Sequence, residues 1–388
     1  MAIDTKTHID QEQIDQDRMI LEMVRSLAQA RIAPRAAEID ATGQFPWDMK
    51  NLLAEQGILG MPFAEEYGGS GSSELSILQV VEEISKYCAT TGLLLCVQQL
   101  GSLPITLAGN EEQKQRFFPR LASGEWLPAF GLTEPGSGSD AGAMTTRAER
   151  RGDTYVLNGL KHFITNAGVA HVNVIFAKTD TSASGTRGVS AFIVEADRPG
   201  FRLGRVENKM GIRGSQTGEL VMEDCVIPAV NLLGKEGEGF KIAMSTLDRT
   251  RPGVAAQAVG IAQGALDVAV KYAKERVQFG KPIADNQGIQ FMLADMAADV
   301  EAARQLVYHA ARMIDEKSPS IGRYSAIAKM YASDLAMKVT GDAIQILGGY
   351  GYMKEFPVER MMRDAKICQI YEGTNQIQRL VIARDLLK

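Results

Sequence analysis

The stretch Ile370-Tyr371-Glu372-Gly373-Thr374-Asn375-Gln376-Ile377-Gln378 sets a carboxylate between an aromatic side chain and a glycine. Glycine lets the backbone turn tightly and lets a ligand come close. Thr374 or Asn375 is placed to cap the helix whose apolar positions are Ile377, Leu380, Val381 and Leu386. A carboxylate at such a junction, partly desolvated and aimed at a ligand, meets the conditions for a general base. Taken alone, Glu372 reads more readily as an acidic residue near a helix N-terminus, which favours negative charge.

Other segments carry polar groups suited to a ligand. Leu132-Thr133-Glu134-Pro135-Gly136-Ser137-Gly138-Ser139-Asp140 is a rigid loop whose backbone N–H groups could cradle an anion or the rim of a planar ring. Taken alone it reads first as a surface turn. Lys161-His162-Phe163-Ile164-Thr165-Asn166 sets a ring two residues from a hydroxyl, a pairing that suits a flat cofactor with polar edges, although Phe163 could belong to the core. In Leu247-Asp248-Arg249-Thr250-Arg251, Arg251 could hold a polar or phosphate group, or form a surface or interface salt bridge. Arg276-Val277-Gln278-Phe279-Gly280-Lys281 offers a guanidinium for pyrophosphate and a ring for stacking, or simply a solvated basic loop. The glycines of Gln345-Ile346-Leu347-Gly348-Gly349-Tyr350-Gly351 cap a helix or admit a dinucleotide backbone.

The elements that must hold these residues come in three blocks. Ile20, Met23, Val24 and Leu27 share a helical face, and Leu75, Leu78, Val81 and Ile84 mark a second helix over Ser73 to Ala89. The uncharged run from Tyr87 to Asn110 predicts a buried helix pair or the wall of an apolar pocket. After Trp126 the pattern changes to short β-runs: Tyr155-Val156-Leu157 ending in an Asn158-Gly159 hairpin turn, then Val172 to Ala177, Val189 to Glu195 and Glu219 to Val226. Helical periodicity returns over Gly239 to Lys274, Asn286 to Glu316, Ile321 to Ile346 and Thr374 to Leu387, with Pro252 predicting a late start or a kink in the first of these. The expected fold is α+β, with an N-terminal helical domain (1–122), a middle antiparallel β-barrel or sandwich (123–232) and a C-terminal four-helix bundle (233–388). Helices, then strands, then helices, with no GxGxxG after a strand, argue against a Rossmann sheet.

Composition excludes several classes. The 388 residues are 45% hydrophobic and 23% charged, as in soluble globular proteins, and the net charge of −5 argues against nucleic-acid binding. Cys88, Cys96, Cys225 and Cys368 form no CxxC, and His8, His162, His171 and His309 form no HExxH, so neither a disulfide framework nor a metal site is expected. No apolar leader follows Met1 and no window of about 18 apolar residues is found, so a cytoplasmic protein without a membrane span is expected.

Together the segments resemble the acyl-CoA dehydrogenase family over nearly the full length, with Tyr371 to Gln376 matching the catalytic segment closely. The resemblance implies a homotetramer, a dimer of dimers, holding FAD between the β domain and the bundle. Phe130, Leu132, Thr133, Ser139, Phe163, Thr165, Thr374 and Gln376 would then contact FAD, while Arg276, Gln278, Phe279, Gln287, Gln345 and Gly349 would belong to a dinucleotide site completed across subunits. Ser139, Asp248, Arg251, Tyr371 and Gly373 would contact the acyl-CoA, and Glu372 would be the base.

The implied reaction is α,β-dehydrogenation of an acyl-CoA thioester. Glu372 takes the α-proton, flavin N5 accepts the β-hydride, and the Glu372 N–H and a flavin ribityl hydroxyl polarise the thioester carbonyl. The product is a trans-2-enoyl-CoA, and an electron-transfer flavoprotein reoxidises the flavin. Many relatives carry Trp at the position of Phe163; some carry the base at the position of Thr250, where no acid stands here. The uncharged Tyr87 to Asn110 run favours an apolar acyl tail, without fixing its length. The same fold also serves acyl-CoA oxidases, enoyl-CoA reductases and flavin monooxygenases. If Glu372 is not the base, Glu134 and Asp248 are the next carboxylates by motif.

Overall fold

The computed structural model describes residues 11–183 and 185–388, with side chains from residue 18 onward; His8 and the N-terminal leader positions lie outside the described residues. The first block comprises α1 (Gln11–Leu27), α2 (Ala36–Thr42), α3 (Trp47–Glu55), α4 (Glu74–Ser85), α5 (Ala89–Ala108) and α6 (Glu111–Ala122). Ser73 caps α4, its hydroxyl accepting from the Ser76 N–H at 3.1 Å, while Asn110 and Gln113 form a reciprocal capping box on α6. The uncharged run forms one helix, α5, rather than a pair, and α5 continues through Pro104. By length and composition α5 and α7 (Gly239–Glu275) could each cross a bilayer, which the sequence reading missed; 72% and 78% of their apolar windows are buried against the rest of the protein.

The sheet contains β1 (Pro128–Gly131), β2 (Arg147–Arg151), β3 (Thr154–Thr165), β4 (Val172–Lys178), β5 (Val189–Glu195), β6 (Phe201–Val206), β7 (Thr217–Pro228) and β8 (Leu232–Leu233). Strand order is β6-β7-β3-β2-β4-β5-β8, with β1 beside β4. Most pairs are antiparallel, but β1 runs parallel to β4, and β2 meets β4 in parallel at Arg147 and Lys178. Strands β4 and β5 read as apolar runs interrupted by Asn173 and Ser190, because both faces are buried. Val174, Phe176, Val189 and Ile193 pack toward helices α5 to α7, while Ile175, Ala177, Phe192 and Val194 pack toward Tyr155 and Cys225.

Asn158-Gly159 is not a hairpin turn. Strand β3 runs through it, with the pairing to β7 slipping between Leu157 and Gly159, and the reversal falls at Gly152-Asp153 instead. The Asn158 side chain is bound to Asp224 of β7, accepting from its N–H at 2.8 Å. Gly159 is required because a Cβ there would lie 2.8 Å from the Thr146 Cα. Tertiary contact has overridden a strong local turn signal.

The last block contains α7, a small hairpin of β9 (Val277–Gln278) and β10 (Lys281–Pro282), α8 (Gln287–Asp315), α9 (Ile321–Leu347), α10 (Val358–Cys368) and α11 (Asn375–Leu386). The bundle of long helices has the expected bounds to within a residue or two, and α10 is an addition to it. One apolar core joins α4 and α5 to α7, α8 and α9 through Leu78, Leu95, Val259, Val300 and Val339. The two helical blocks therefore share an interior.

Helix α7 neither starts late nor stops at Pro252. A proline leaves the carbonyl four residues earlier without its helical donor. Here that carbonyl belongs to Asp248, and the Ser325 hydroxyl of α9 donates to it at 2.6 Å. A cross-helix bond replaces the missing one, and it does so one turn from the functional residues of α7.

Candidate active site

Glu372 stands between α10 and α11 in a left-handed conformation, φ +53°, followed by Gly373 at φ +94°. A left-handed non-glycine residue costs about 1–3 kcal/mol and persists where its surroundings hold it. Arg251 Nε and Gln378 Nε2 each donate to the Glu372 carbonyl at 3.2 Å. Gln378 Nε2 and Lys329 Nζ each donate to the Gly373 carbonyl at 2.8 Å. A Cβ on residue 373 would sit 2.8 Å from Gln378 Nε2, so the turn admits glycine on both sterics and φ. Thr374 caps α11, and Asn375 instead accepts from Lys329 at 3.0 Å and donates to Asp334 Oδ1 at 2.7 Å.

The Glu372 carboxylate is half-buried, and the Thr250 hydroxyl donates to its Oε2 at 2.6 Å. Oε1 and the Glu372 backbone N–H make no hydrogen bond among the described residues. Burial pushes the carboxyl above its ordinary range, opposed by the Thr250 hydroxyl and the charges of Arg251 and Lys329. Burial and the Glu372 charge also push the Cys96 thiol upward, and Cys96 of α5 donates to the Gly253 carbonyl of α7 at 3.7 Å, three residues from Thr250. Tyr371 donates to Gln257 Oε1, and Gln257 Nε2 donates to the Ala89 carbonyl at 2.8 Å, locking the loop to α7 and α5.

Arg251 and Asp248, both predicted to contact the acyl-CoA, are engaged with each other. Arg251 is 3% exposed and pairs with Asp248 Oδ1 at 2.7 Å, so it supports the Glu372 loop from inside rather than presenting an open phosphate site. Glu134 is no substitute base: it forms a buried ion pair with Lys161 at 2.8 Å and accepts from the Thr145 and Thr146 N–H groups. Burial would raise its carboxyl, but Lys161 and these donors outweigh it and hold the group at about 2.

A second cluster lies around Arg276. With Gln278, Gly348, Gly349 and Tyr350 it lines a cavity of about 420 Å³. Its guanidinium lies over the Tyr350 ring, 5.4 Å from the centroid. Beside it the Phe279 side chain is fully exposed, at φ +52°. Gln287 and Gln345 are exposed, on the first turn of α8 and the last turn of α9.

A third cluster is on the β domain. Phe163 is exposed at φ +57°, at the end of β3, and His162 stacks on it at 3.9 Å between centroids. Phe130, Thr133 and Thr165 are half-buried and Leu132 is buried, while Ser139 is exposed. His162, Glu207 and Glu219 bring possible ligand atoms within 4.8 Å of one another. Arg205 occupies that position, donating to Glu207 Oε1 at 2.9 Å, so a guanidinium stands where a cation would.

Three family models match in sequence order: the acyl-CoA dehydrogenase N-terminal domain over residues 14–125, the middle domain over 129–225 and the C-terminal domain over 237–387. An acyl-CoA dehydrogenase of Bacillus subtilis is 51% identical over 98% of this chain and 99% of its own. Butyryl-CoA dehydrogenase from Megasphaera elsdenii superposes with a TM-score of 0.94 at 49% identity, covering 96% of this chain and 98% of its own. A chain from a structural study of the electron-transferring flavoprotein of Acidaminococcus fermentans superposes with a TM-score of 0.94 at 51% identity, covering both chains fully.

The chain belongs to the acyl-CoA dehydrogenase family.

As a member of that family it is an oxidoreductase whose cofactor is FAD. The donor set around Arg276 fits the pyrophosphate of a dinucleotide: one guanidinium, one amide and the open backbone of two glycines around a cavity. The exposed Phe163 and Phe279 rings fit planar partners. Thr374 is half-buried and Gln376 exposed at the start of α11.

Sequence reasoning missed the supports of Glu372, namely Lys329, Gln378, Gln257 and the hydroxyl of Thr250. One signal was available. Lys329 shares a helical face with Ser325, Ala332, Ser333 and Ala336, all small or apolar in character, where a lysine needs a specific partner.

Proposed function

We propose that this chain dehydrogenates a short, apolar acyl-CoA at its α,β-bond, with Glu372 as the base. The reading is carried by one observation: a carboxylate held in a strained turn, with Oε2 engaged by Thr250 and Oε1 without a partner. Oε1 is the atom that takes the α-proton. The adjacent Glu372 N–H is positioned to donate to the thioester carbonyl, where charge develops as the proton leaves. Helix α5, uncharged along its whole length, packs on α7 through Cys96 and the Gly253 carbonyl, three residues from Thr250, and is the element assigned to exclude water from the acyl tail. When bound, FAD supplies the two-electron acceptor for hydride from the β-carbon. The product is a trans-2-enoyl-CoA, and an electron-transfer flavoprotein is the partner that carries electrons away.

The Arg276 and Phe163 clusters are assigned to FAD, and Ser139 and Asp248 to the acyl-CoA. A homotetramer accords with the exposed apolar side chains of the last block, among them Phe279, Phe291, Tyr352 and Leu387. Units at 1–122, 123–232 and 233–388 and a cytoplasmic location belong to the same reading.

The test is Glu372→Gln, which keeps size and removes the base. Anaerobic mixing with butyryl-CoA should show flavin reduction slowed by ~10²–10⁴-fold, with FAD content unchanged. Reduction at the wild-type rate would refute Glu372 as the base.

A further inference from the structure

Lys329 is fully buried on α9, and its two hydrogen-bond acceptors, the Gly373 carbonyl and Asn375 Oδ1, are both neutral. Among the described residues no carboxylate lies within ion-pair distance of its ammonium. Two neutral oxygens could be satisfied by a neutral donor. An interior ammonium without a paired carboxylate costs stability, so its charge calls for a reason outside packing. The side chain grips the residue that follows Glu372, inside the left-handed turn.

We propose that Lys329 is a positioning residue for the proton transfer: its ammonium fixes the Gly373 carbonyl, and so the turn that aims Glu372, and it supplies a buried positive charge to that carboxylate. The proposal rests on the reading of Glu372 as the base. The charged and titratable groups around the pair come from every packed element. Helix α7 presents Asp248 and Arg251, already paired with each other. Helix α9 presents Asp334, bound to Asn375 and to Arg379 of α11. Helices α10 and α5 present the Cys368 and Cys96 thiols, both pushed up by burial, and Tyr371 is on the loop itself. With Arg251 committed to Asp248, Lys329 is the cation without a carboxylate of its own in this group.

Burial lowers Lys329 to about 8, with Cys368 and Glu372 opposing and Arg251 assisting, so the charge is still present at neutral pH. Asn375, Ser333 and Gln378 complete the frame: Asn375 Nδ2 donates to Ser333 Oγ at 2.9 Å, and Gln378 shares the Gly373 carbonyl with Lys329. Moving that carbonyl moves Glu372, and small misplacements of a reacting group are costly in rate.

The experiment compares holoenzyme carrying Lys329→Met and Lys329→Gln with wild type, measuring FAD content, thermal midpoint and the pH profile of kcat/KM with butyryl-CoA. Methionine removes donor and charge at similar length; glutamine keeps a donor and removes the charge. Both should retain FAD, with a midpoint equal to or above wild type. In both, the acid limb should move up by about one pH unit, because Glu372 loses a cation that favours its ionised form. The plateau rate should fall roughly 10-fold in Lys329→Met and less in Lys329→Gln. An unmoved acid limb in both would overturn the proposal. So would loss of fold or of FAD in both, which would make Lys329 a structural residue. A Glu372→Gln enzyme active at the wild-type rate would instead refute the base assignment, and that outcome is distinct from inert Lys329 variants beside a dead Glu372→Gln.

Discussion

The Thr250 hydroxyl donates to Glu372 Oε2 at 2.6 Å, tying the middle of α7 to a loop 122 residues further along the chain. The bond favours the ionised carboxylate and leaves the second oxygen for substrate. Burial raises Glu372 above the ordinary carboxyl value of 4.5, so kcat/KM should fall as pH drops through that raised value. Thr250→Val keeps the shape and removes a stabiliser of the charged form. Its acid limb should lie at higher pH than in wild type, with a loss on the acid side of the profile and little change on the plateau. A limb shifted to lower pH would contradict the bond's direction.

Pro252 and Ser325 should be energetically coupled. Ser325→Ala leaves the Asp248 carbonyl without the 2.6 Å donor, at a cost of about 1–3 kcal/mol. In a Pro252→Ala background the residue-252 N–H can bond the same carbonyl, and Ser325→Ala should cost much less. A double-mutant cycle from urea denaturation measures the difference, and additivity would show that the bond does not replace the helical one.

The Lys161–Glu134 pair holds the loop that carries Leu132 and Thr133, since Lys161 Nζ also donates to the Leu132 carbonyl at 3.2 Å. Both side chains are buried. Lys161→Met strands a carboxylate in the interior and should destabilise by about 3–5 kcal/mol. Adding Glu134→Gln should recover part of that loss. Calorimetry of the single and the double variant tests this, and a Lys161→Met protein as stable as wild type would contradict it.

Arg276→Ala should weaken FAD retention without altering acyl-CoA affinity, because it removes the guanidinium of the 420 Å³ cavity and leaves the Glu372 loop untouched. The readout is flavin absorbance after dialysis. Sedimentation of the wild-type holoenzyme should give a tetramer. A stable FAD-loaded monomer would remove the basis for a site completed between subunits.

The parts legible in the sequence were those whose signal is local and periodic. Helices α7, α8, α9 and α11 show 3.6-residue patterns over many turns, and β5 was bounded to the residue by its apolar run. Strand β6 is mostly exposed, with Gly204 and Arg205 breaking its apolar alternation, and α10 is short and rich in charge, so neither had an apolar stripe long enough to register. Asn158-Gly159 misled because its side-chain partner, Asp224, is 66 residues away. The site followed the same division. Glu372 was visible because motif and glycine adjoin it. Lys329 and Gln257 were not, because each reaches that loop from a different helix far away in the sequence, α9 and α7.

Glu74 provides a pH test independent of catalysis. It is 6% exposed at the start of α4; Oε2 accepts from Gln99 at 2.6 Å, and Oε1 has no partner. Burial raises its carboxyl to about 8 from the usual 4.5, with Gln99 opposing and Asp315 adding to the rise. Between these values the folded chain keeps a proton that the unfolded chain has released. Its contribution to stability is therefore full below about 4.5 and lost as pH rises through about 8. Glu74→Gln removes the titration while the amide oxygen can still accept from Gln99. At pH 5 the variant and wild type should melt within a degree or two of each other. At pH 9 the variant should melt higher, by on the order of 5 °C. A variant less stable than wild type at pH 9 would show that Glu74 is ionised in the folded protein and held by a partner.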